Sequence, residues 1–376
     1  MTDRIRDFLR LRRPEGPCLV IDLDVVRENY NAFAKALPDS RVFYAVKANP
    51  DPAVLRLLAD LGSSFDCASV AEIDMALAAG ATPDRISFGN TIKKERDVAA
   101  AFARGVRMFA IDCVEEADKI ARAAPGARVF CRILCDCVGA EWPLSRKFGC
   151  SPEMAVEVLE HAHRSGLEAY GVSFHVGSQQ PNPNAWDVAL QAAGGVFRTL
   201  SERGIQLRMV NLGGGFPAKY LREMPAVQTY GRAIFTALRK HFGNRIPETI
   251  IEPGRGMVGD AGMIKAEVVL ISKKSAEDTQ RWVYLDIGKF GGLAETMDEA
   301  IRYPIRTRHD GDRTEPCVIA GPTCDSADVL YEKTPYELPI SLAIGDEVLI
   351  EGTGAYTQTY SAVAFNGFEP LKAYAI

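Results

Sequence analysis

The 376-residue chain is 47% hydrophobic and 25% charged, the proportions of an ordinary folded protein and not of a disordered or fibrous one. Its 44 basic and 49 acidic residues leave a net charge of −5, which argues against the basic footprint of a nucleic-acid binder. No apolar run approaches the ~18 residues of a membrane span, and the opening MTDRIRDFLRLRRPEGP has no apolar signal stretch, so the cytoplasm is the expected compartment.

In chain order, CLVIDL (18–23) is the first strand candidate. Eight further strand-like runs follow: 41–47, 63–69, 85–90, 107–112, 127–134, 167–176, 206–213 and 249–253. Ala/Leu-rich stretches such as DPAVLRLLADLG (51–62) and VAEIDMALAAG (70–80) lie between them. Their apolar residues recur at three- and four-residue spacing, the mark of amphipathic helices, and both end in glycine. Strands that alternate with helices imply a parallel sheet. Eight such units predict a closed (β/α)8 barrel, with a doubly wound open sheet as the alternative.

After about residue 262 the pattern changes. MIKAEVVLISKK, RWVYLDIG, PCVIAGP, DEVLIEG and YSAVAFN read as strands with little helix between them. They predict an antiparallel β domain, to which the surplus strand at 18–23 is assigned. The expected division is a barrel over 24–261 and a β domain made of 1–23 plus 262–376. Nine cysteines, an odd number, point to free thiols in a reducing compartment. Cys135-Asp136-Cys137 has no second CxxC or HxxxH cluster beside it, so no metal site is expected.

In such a barrel the active site lies where the strands end. Lys47 ends the first run, Asp66 and Ser69 the second, Asn90 the third, Asp112 the fourth, Arg132 the fifth and His175 the sixth. Gly213-Gly214-Gly215 ends the seventh, and Glu252-Pro253-Gly254-Arg255 the eighth. A lysine after the apolar run FYAV is expected to be desolvated, which makes its amine nucleophilic, as a Schiff-base lysine requires. The plain alternative is a strand-end lysine in solvent. Three glycines expose backbone N–H groups to a phosphate or simply make a tight turn. Their place after the seventh strand, with Gly254-Arg255 after the eighth, favours phosphate. Glu252 either pairs with Arg255 or faces a pyridine nitrogen and keeps it protonated. His175 is either a buried structural histidine or a ring stacked on a flat cofactor, with Ser178 at its phosphate.

Taken together and in order, YAVKAN, FDCAS with Glu72 three residues on, FHVGSQ, GGGFP, EPGR, GPTCDSADVL and GAYT resemble the fold-type III pyridoxal-phosphate decarboxylases. The similarity is greatest to the ornithine decarboxylase group, which includes bacterial ornithine/lysine decarboxylases, and runs from about residue 17 to the end. It implies an alanine racemase-like (β/α)8 barrel whose β domain completes the active site across a homodimer. It implies that Lys47 carries pyridoxal 5'-phosphate, that His175 stacks on its ring and that Glu252 pairs with its nitrogen. Ser178, Gly214, Gly215, Gly254, Arg255 and Tyr356 would hold the phosphate, while Asp66, Glu72 and Arg132 line the cofactor. Cys324 matches the general acid. Asp325 matches a carboxylate for the distal amine of the substrate, and Asp298, in the departing context ETMDEA, a second one. The implied reaction is L-ornithine to putrescine and CO2 in polyamine biosynthesis, with L-lysine to cadaverine beside it.

Diaminopimelate decarboxylases share the scaffold but usually read CES where this chain reads CDS. Alanine racemases need a tyrosine base in a C-terminal motif that is not found here. Antizyme inhibitors are non-catalytic binding proteins of the same build; retention of Lys47, Cys324 and the phosphate motifs argues against that assignment.

Overall fold

The computed structural model describes residues 1–135, 139–140 and 147–376; Asp136 and Cys137 of the Cys-Asp-Cys motif lie outside this range. The chain divides into two compact units. One comprises Met1–Val26, Ala218–Glu223 and Val258–Ile376, and the other Arg27–Pro217 and Met224–Met257.

The first strand, β1 (Cys18–Ile21), belongs to the former unit. The latter unit is a closed barrel of eight parallel strands in sequence order. They are β2 (Ser40–Ala45), β3 (Ser64–Cys67), β4 (Ile86–Phe88), β5 (Met108–Ile111), β6 (Arg128–Arg132), β7 (Glu168–Ser173), β8 (Met209–Asn211) and β9 (Glu248–Ile251). Each falls on an expected run, and most are shorter. Their interior is packed by Phe43, Met108, Ala110, Phe130, Tyr170, Met209 and Ile250. Each large apolar side chain so buried contributes about 1.5–3 kcal/mol.

Local chemistry starts the helices after the strands. Asp51 accepts the Ala53 amide, and Pro52 takes the first helical position of Pro52–Asp60, where its missing N–H costs nothing. Ser69 caps Val70–Ala78. Among the described residues no helix is long and apolar enough to cross a membrane.

The β unit contains β1 with β10 (Gly262–Ser272), β11 (Arg281–Leu285), β12 (Ile305–Thr307), β13 (Thr314–Ala320), β14 (Val329–Pro339), β15 (Glu347–Glu351) and β16 (Lys372–Ala375). The sheet order is β12-β15-β10-β11-β13-β14, with β1 bridging β10 and β16. The N-terminal strand therefore joins this sheet, as expected. The sheet is mixed, not purely antiparallel: β1–β16 and β11–β13 are parallel pairs. Parallel neighbours need long crossovers, and the segment between β11 and β13 supplies one.

YSAVAFN forms no strand. Ala364 and Asn366 take left-handed φ values of 59° and 51°, which break an extended run. The expected runs did not include β12, β14 or β16, and β14 contains Pro335 and Pro339. It is the terminal strand of the order, where a missing N–H is tolerated.

Candidate active site

The strand ends gather the polar residues that the sequence singles out. Lys47 lies in a single 3-10 turn (Val46–Ala48) directly after β2. It is exposed, which corrects the expectation of a desolvated amine. The buried lysine of this rim is Lys93, in the segment after β4. Its Nζ donates to Asn90 O and Ala110 O at 2.7 Å each and pairs with Glu116 at 2.9 Å. Burial pushes Lys93 down to about 8, against the pull of Glu116.

Lys47 is nonetheless close to the other candidates, because its charge acts on four of them. Asp66, at the end of β3, is pushed up by burial and pulled back by Lys47, by the Ser87 hydroxyl at 3.1 Å and by Arg132. Gly89 makes room for this carboxylate, since a Cβ there would lie 1.9 Å from Asp66 Oδ1. Glu72 is raised by burial, with Lys47 opposing, and its carboxylate accepts the Ala68 amide at 2.6 Å. Ser69 and Glu72 thus close the helix start between them, in the manner of a capping box. Arg132 ends β6, with its guanidinium 5.3 Å from the centre of the Phe148 ring.

His175 lies two residues beyond β7. Its Nδ1 accepts the Gly177 amide at 3.0 Å, which leaves the proton of the neutral ring on Nε2. Burial, then Arg132 and Lys47, push its pKa well below the usual value, so the ring is neutral at physiological pH. Gly214 lies beside the ring: a Cβ there would be 2.7 Å from Glu252 O and 3.2 Å from His175 Nε2. Gly213 and Gly215 have φ values of +66° and +100°, and a Cβ would strike Phe174 O at 2.0 Å or Gly177 O at 2.5 Å. The triple glycine is therefore required by backbone approach, whatever else it binds. Arg255 follows buried Gly254 and is itself 4% exposed, with Nε and Nη2 each 3.4 Å from Ser178 Oγ.

Glu252 ends this arc. Burial first, then Asp66, push its carboxyl up to about 8, against an Asn211 hydrogen bond, Lys47 and Arg132. In the cofactor-free protein the folded state keeps a proton that the unfolded chain releases from about 4.5 upward. The stability due to that proton is complete below this range and is lost as pH rises toward 8. Glu252→Gln removes the titration. The melting temperature of this variant relative to the parent is expected to climb between about pH 5 and pH 8. A difference that stays constant across that range would contradict this assignment.

Four predicted residues, Asp298, Cys324, Asp325 and Tyr356, belong to the β unit. Cys324 is an exposed free thiol whose backbone N–H is held by Asn366 Oδ1 at 2.8 Å. Asp325 Oδ1 accepts the Ala327 amide at 2.8 Å. Asp298 is exposed, takes a left-handed φ of 54° and pairs with Lys333 at 3.0 Å. Tyr356 also has a left-handed φ, 56°.

Sequence reasoning missed the residues that hold the others in place. Asp328 is buried and accepts from Lys289 N at 2.7 Å and Thr323 Oγ1 at 2.7 Å, so the loop bearing Cys324 and Asp325 is wound around it. Ser87, Gly89, Lys93 and Asn211 act likewise in the barrel. Their one sequence signal is a polar or small residue at a strand end.

The barrel arc offers an accessible amine, a neutral imidazole, a buried acid that a ring-nitrogen cation would neutralise, and a buried arginine beside glycine amides. This donor set fits a phosphorylated pyridine aldehyde and places the protein among the barrel enzymes that depend on pyridoxal phosphate. Residues 23–259 match the family described as "Pyridoxal-dependent decarboxylase, pyridoxal binding domain". The chain is 37% identical over 359 residues to a lysine/ornithine decarboxylase of Selenomonas ruminantium, covering 95% of this chain and 88% of that one. It is 34% identical over 365 residues to antizyme inhibitor 2 of Xenopus laevis, covering 93% and 78%. The crystal structure of lysine/ornithine decarboxylase from Vibrio vulnificus, complexed with cadaverine, superposes with a TM-score of 0.89 at 32% identity, covering 100% of this chain and 99% of that one. The chain belongs to the ornithine/lysine decarboxylase family of fold-type III pyridoxal-phosphate-dependent decarboxylases. Its cofactor is pyridoxal 5'-phosphate, and its reaction class is decarboxylation of a basic amino acid.

Proposed function

We propose that the protein converts L-ornithine to putrescine and CO2, and L-lysine to cadaverine, in the polyamine biosynthesis of the cytoplasm. The observation that carries this reading is the pairing of a thiol with an acid, Cys324-Asp325, on the loop wound around Asp328. A carboxylate there suits the cationic tail of a diamino acid by charge complementarity. The eight described cysteines are free thiols, in keeping with a reducing compartment.

Lys47 would hold the cofactor through its amine. The bound cofactor supplies an electron sink for the charge left on Cα when CO2 departs. Glu252 holds a proton at the ring nitrogen, and His175 stacks as a neutral ring, so it adds no competing charge. Arg255, Ser178, Gly214, Gly215, Gly254 and Tyr356 hold the phosphate. Arg132, Asp66 and Glu72 fix the surrounding charge. Cys324 delivers its thiol proton to Cα, the role of a positioned general acid. Asp325 grips the distal ammonium. Asp298 does so only by exchanging its Lys333 partner for substrate, an exposed pair worth at most about 1 kcal/mol. The Cys324 loop serves the site of a partner subunit, which makes the active unit a homodimer.

Ornithine and lysine differ by one methylene, worth only about 1–3 kcal/mol of discrimination. Product analysis with ornithine, lysine, arginine and diaminopimelate tests the substrate directly. Putrescine is the expected main product. Lysine formed from diaminopimelate would replace this reading with the diaminopimelate decarboxylase one. The relation to antizyme inhibitor 2 favours a second reading, a non-catalytic binding protein. Purified protein that shows no visible absorbance after incubation with pyridoxal phosphate, and turns over no substrate, would establish it.

A further inference from the structure

Asn211 closes β8, is 1% exposed, and stands between two parts of the candidate site. Its Oδ1 accepts the Gly213 backbone N–H at 2.9 Å. A backbone N–H only donates, so this contact decides which end of the carboxamide is oxygen. The other end is therefore the NH2, and it donates to Glu252 Oε1 at 2.5 Å. The main chains repeat the link, with Glu252 N donating to Gly213 O at 2.8 Å and Leu212 N to Ile250 O at 2.8 Å. One side chain thus ties the glycine turn to the acid, and both of its ends are committed.

Resting on the proposed roles of Glu252 and Gly213–Gly215, we propose that Asn211 is a positioning residue that fixes the spacing between the phosphate-side turn and the Glu252 carboxylate. Its N–H engages Glu252 Oε1 and leaves Oε2 for the ring nitrogen. The charged groups that also act on Glu252 are Asp66, Lys47 and Arg132, so Asn211 is the neutral donor in an otherwise ionic set. A neutral donor orients the carboxylate without replacing the cation that the ring nitrogen provides.

Two variants test this. Asn211→Leu keeps the approximate volume and removes both bonds. Asn211→Asp keeps an acceptor for Gly213 but reaches Glu252 only while one proton is shared between the two acids. Each enzyme, reconstituted with pyridoxal phosphate, is assayed for cofactor Kd, for the pH dependence of the visible absorbance of the bound cofactor, and for kcat and KM.

The Leu variant is expected to bind cofactor about tenfold more weakly, and to lose about tenfold or more in kcat with little change in KM. The Asp variant is expected to follow the parent at acid pH and to lose the parent absorbance and kcat at lower pH than the parent does as pH rises. A Leu variant with the parent Kd and pH response would overturn the proposal, and so would an Asp variant whose pH profile superimposes on the parent's. If the Leu variant fails to fold, the Asp variant decides alone. A parent enzyme that takes up no cofactor would defeat the underlying reading instead, so the two failures are distinct.

Discussion

Lys47→Ala is expected to reduce decarboxylation by at least about a thousandfold, because it removes the amine proposed to carry the cofactor covalently. The loss should fall on kcat, and the purified variant should lack the visible absorbance of the parent after dialysis. Folding should survive the change. Lys47 is exposed, sits in a short turn, and makes no hydrogen bond or ion pair with the described residues, so its deletion leaves no buried partner stranded. Its removal takes a positive charge from the neighbourhood of Asp66, Glu72 and Glu252, which pushes all three carboxyls further up. A variant with parent turnover and parent absorbance would place the cofactor elsewhere.

Cys324→Ala is the second large effect. General acids contribute about a hundred- to ten-thousandfold, and the rate of diamine formation should fall within that range. Without a placed proton donor, the product mixture should also shift away from the diamine. The thiol is exposed, so a stability loss offers no competing explanation. The proposed homodimer with shared sites makes a further demand on the same variant. Mixing the Lys47→Ala and Cys324→Ala proteins, each nearly inactive, should restore about a quarter of parent activity, because one of the two sites in each mixed dimer is whole. No recovery after verified subunit exchange would show that both residues act from one chain.

The barrel was legible in the sequence because its strands are buried on both faces, and buried parallel strands read as continuous apolar runs set apart by helical stretches. The overshoot at their ends has the same origin. Residues such as Lys47 and Ser69 continue an apolar run by position while the backbone has already turned. The β unit was less legible. Pro335 and Pro339 weaken the strand signal of β14, which tolerates them at the end of the order, and the alternation in YSAVAFN gave no warning of left-handed turns at Ala364 and Asn366.

Within the site, residues with unusual chemistry stood out at strand ends, whereas those that hold them did not. Asn211, Ser87 and Asp328 acquire meaning only through partners remote in sequence: Glu252, Asp66 and Lys289. Of the two readings of Lys47, a desolvated amine or a strand-end lysine in solvent, the structure shows the second; Lys93, which the sequence did not single out, is buried by the packing around it.

The rim thus presents two amines, exposed Lys47 and buried Lys93, and the central claim is that the first carries the cofactor. Borohydride reduction of the reconstituted enzyme, which fixes the cofactor to its lysine, followed by peptide mass spectrometry, separates them. The account predicts a single pyridoxyl group on the peptide that contains Lys47. The same group on the Lys93 peptide, or on none, would contradict it.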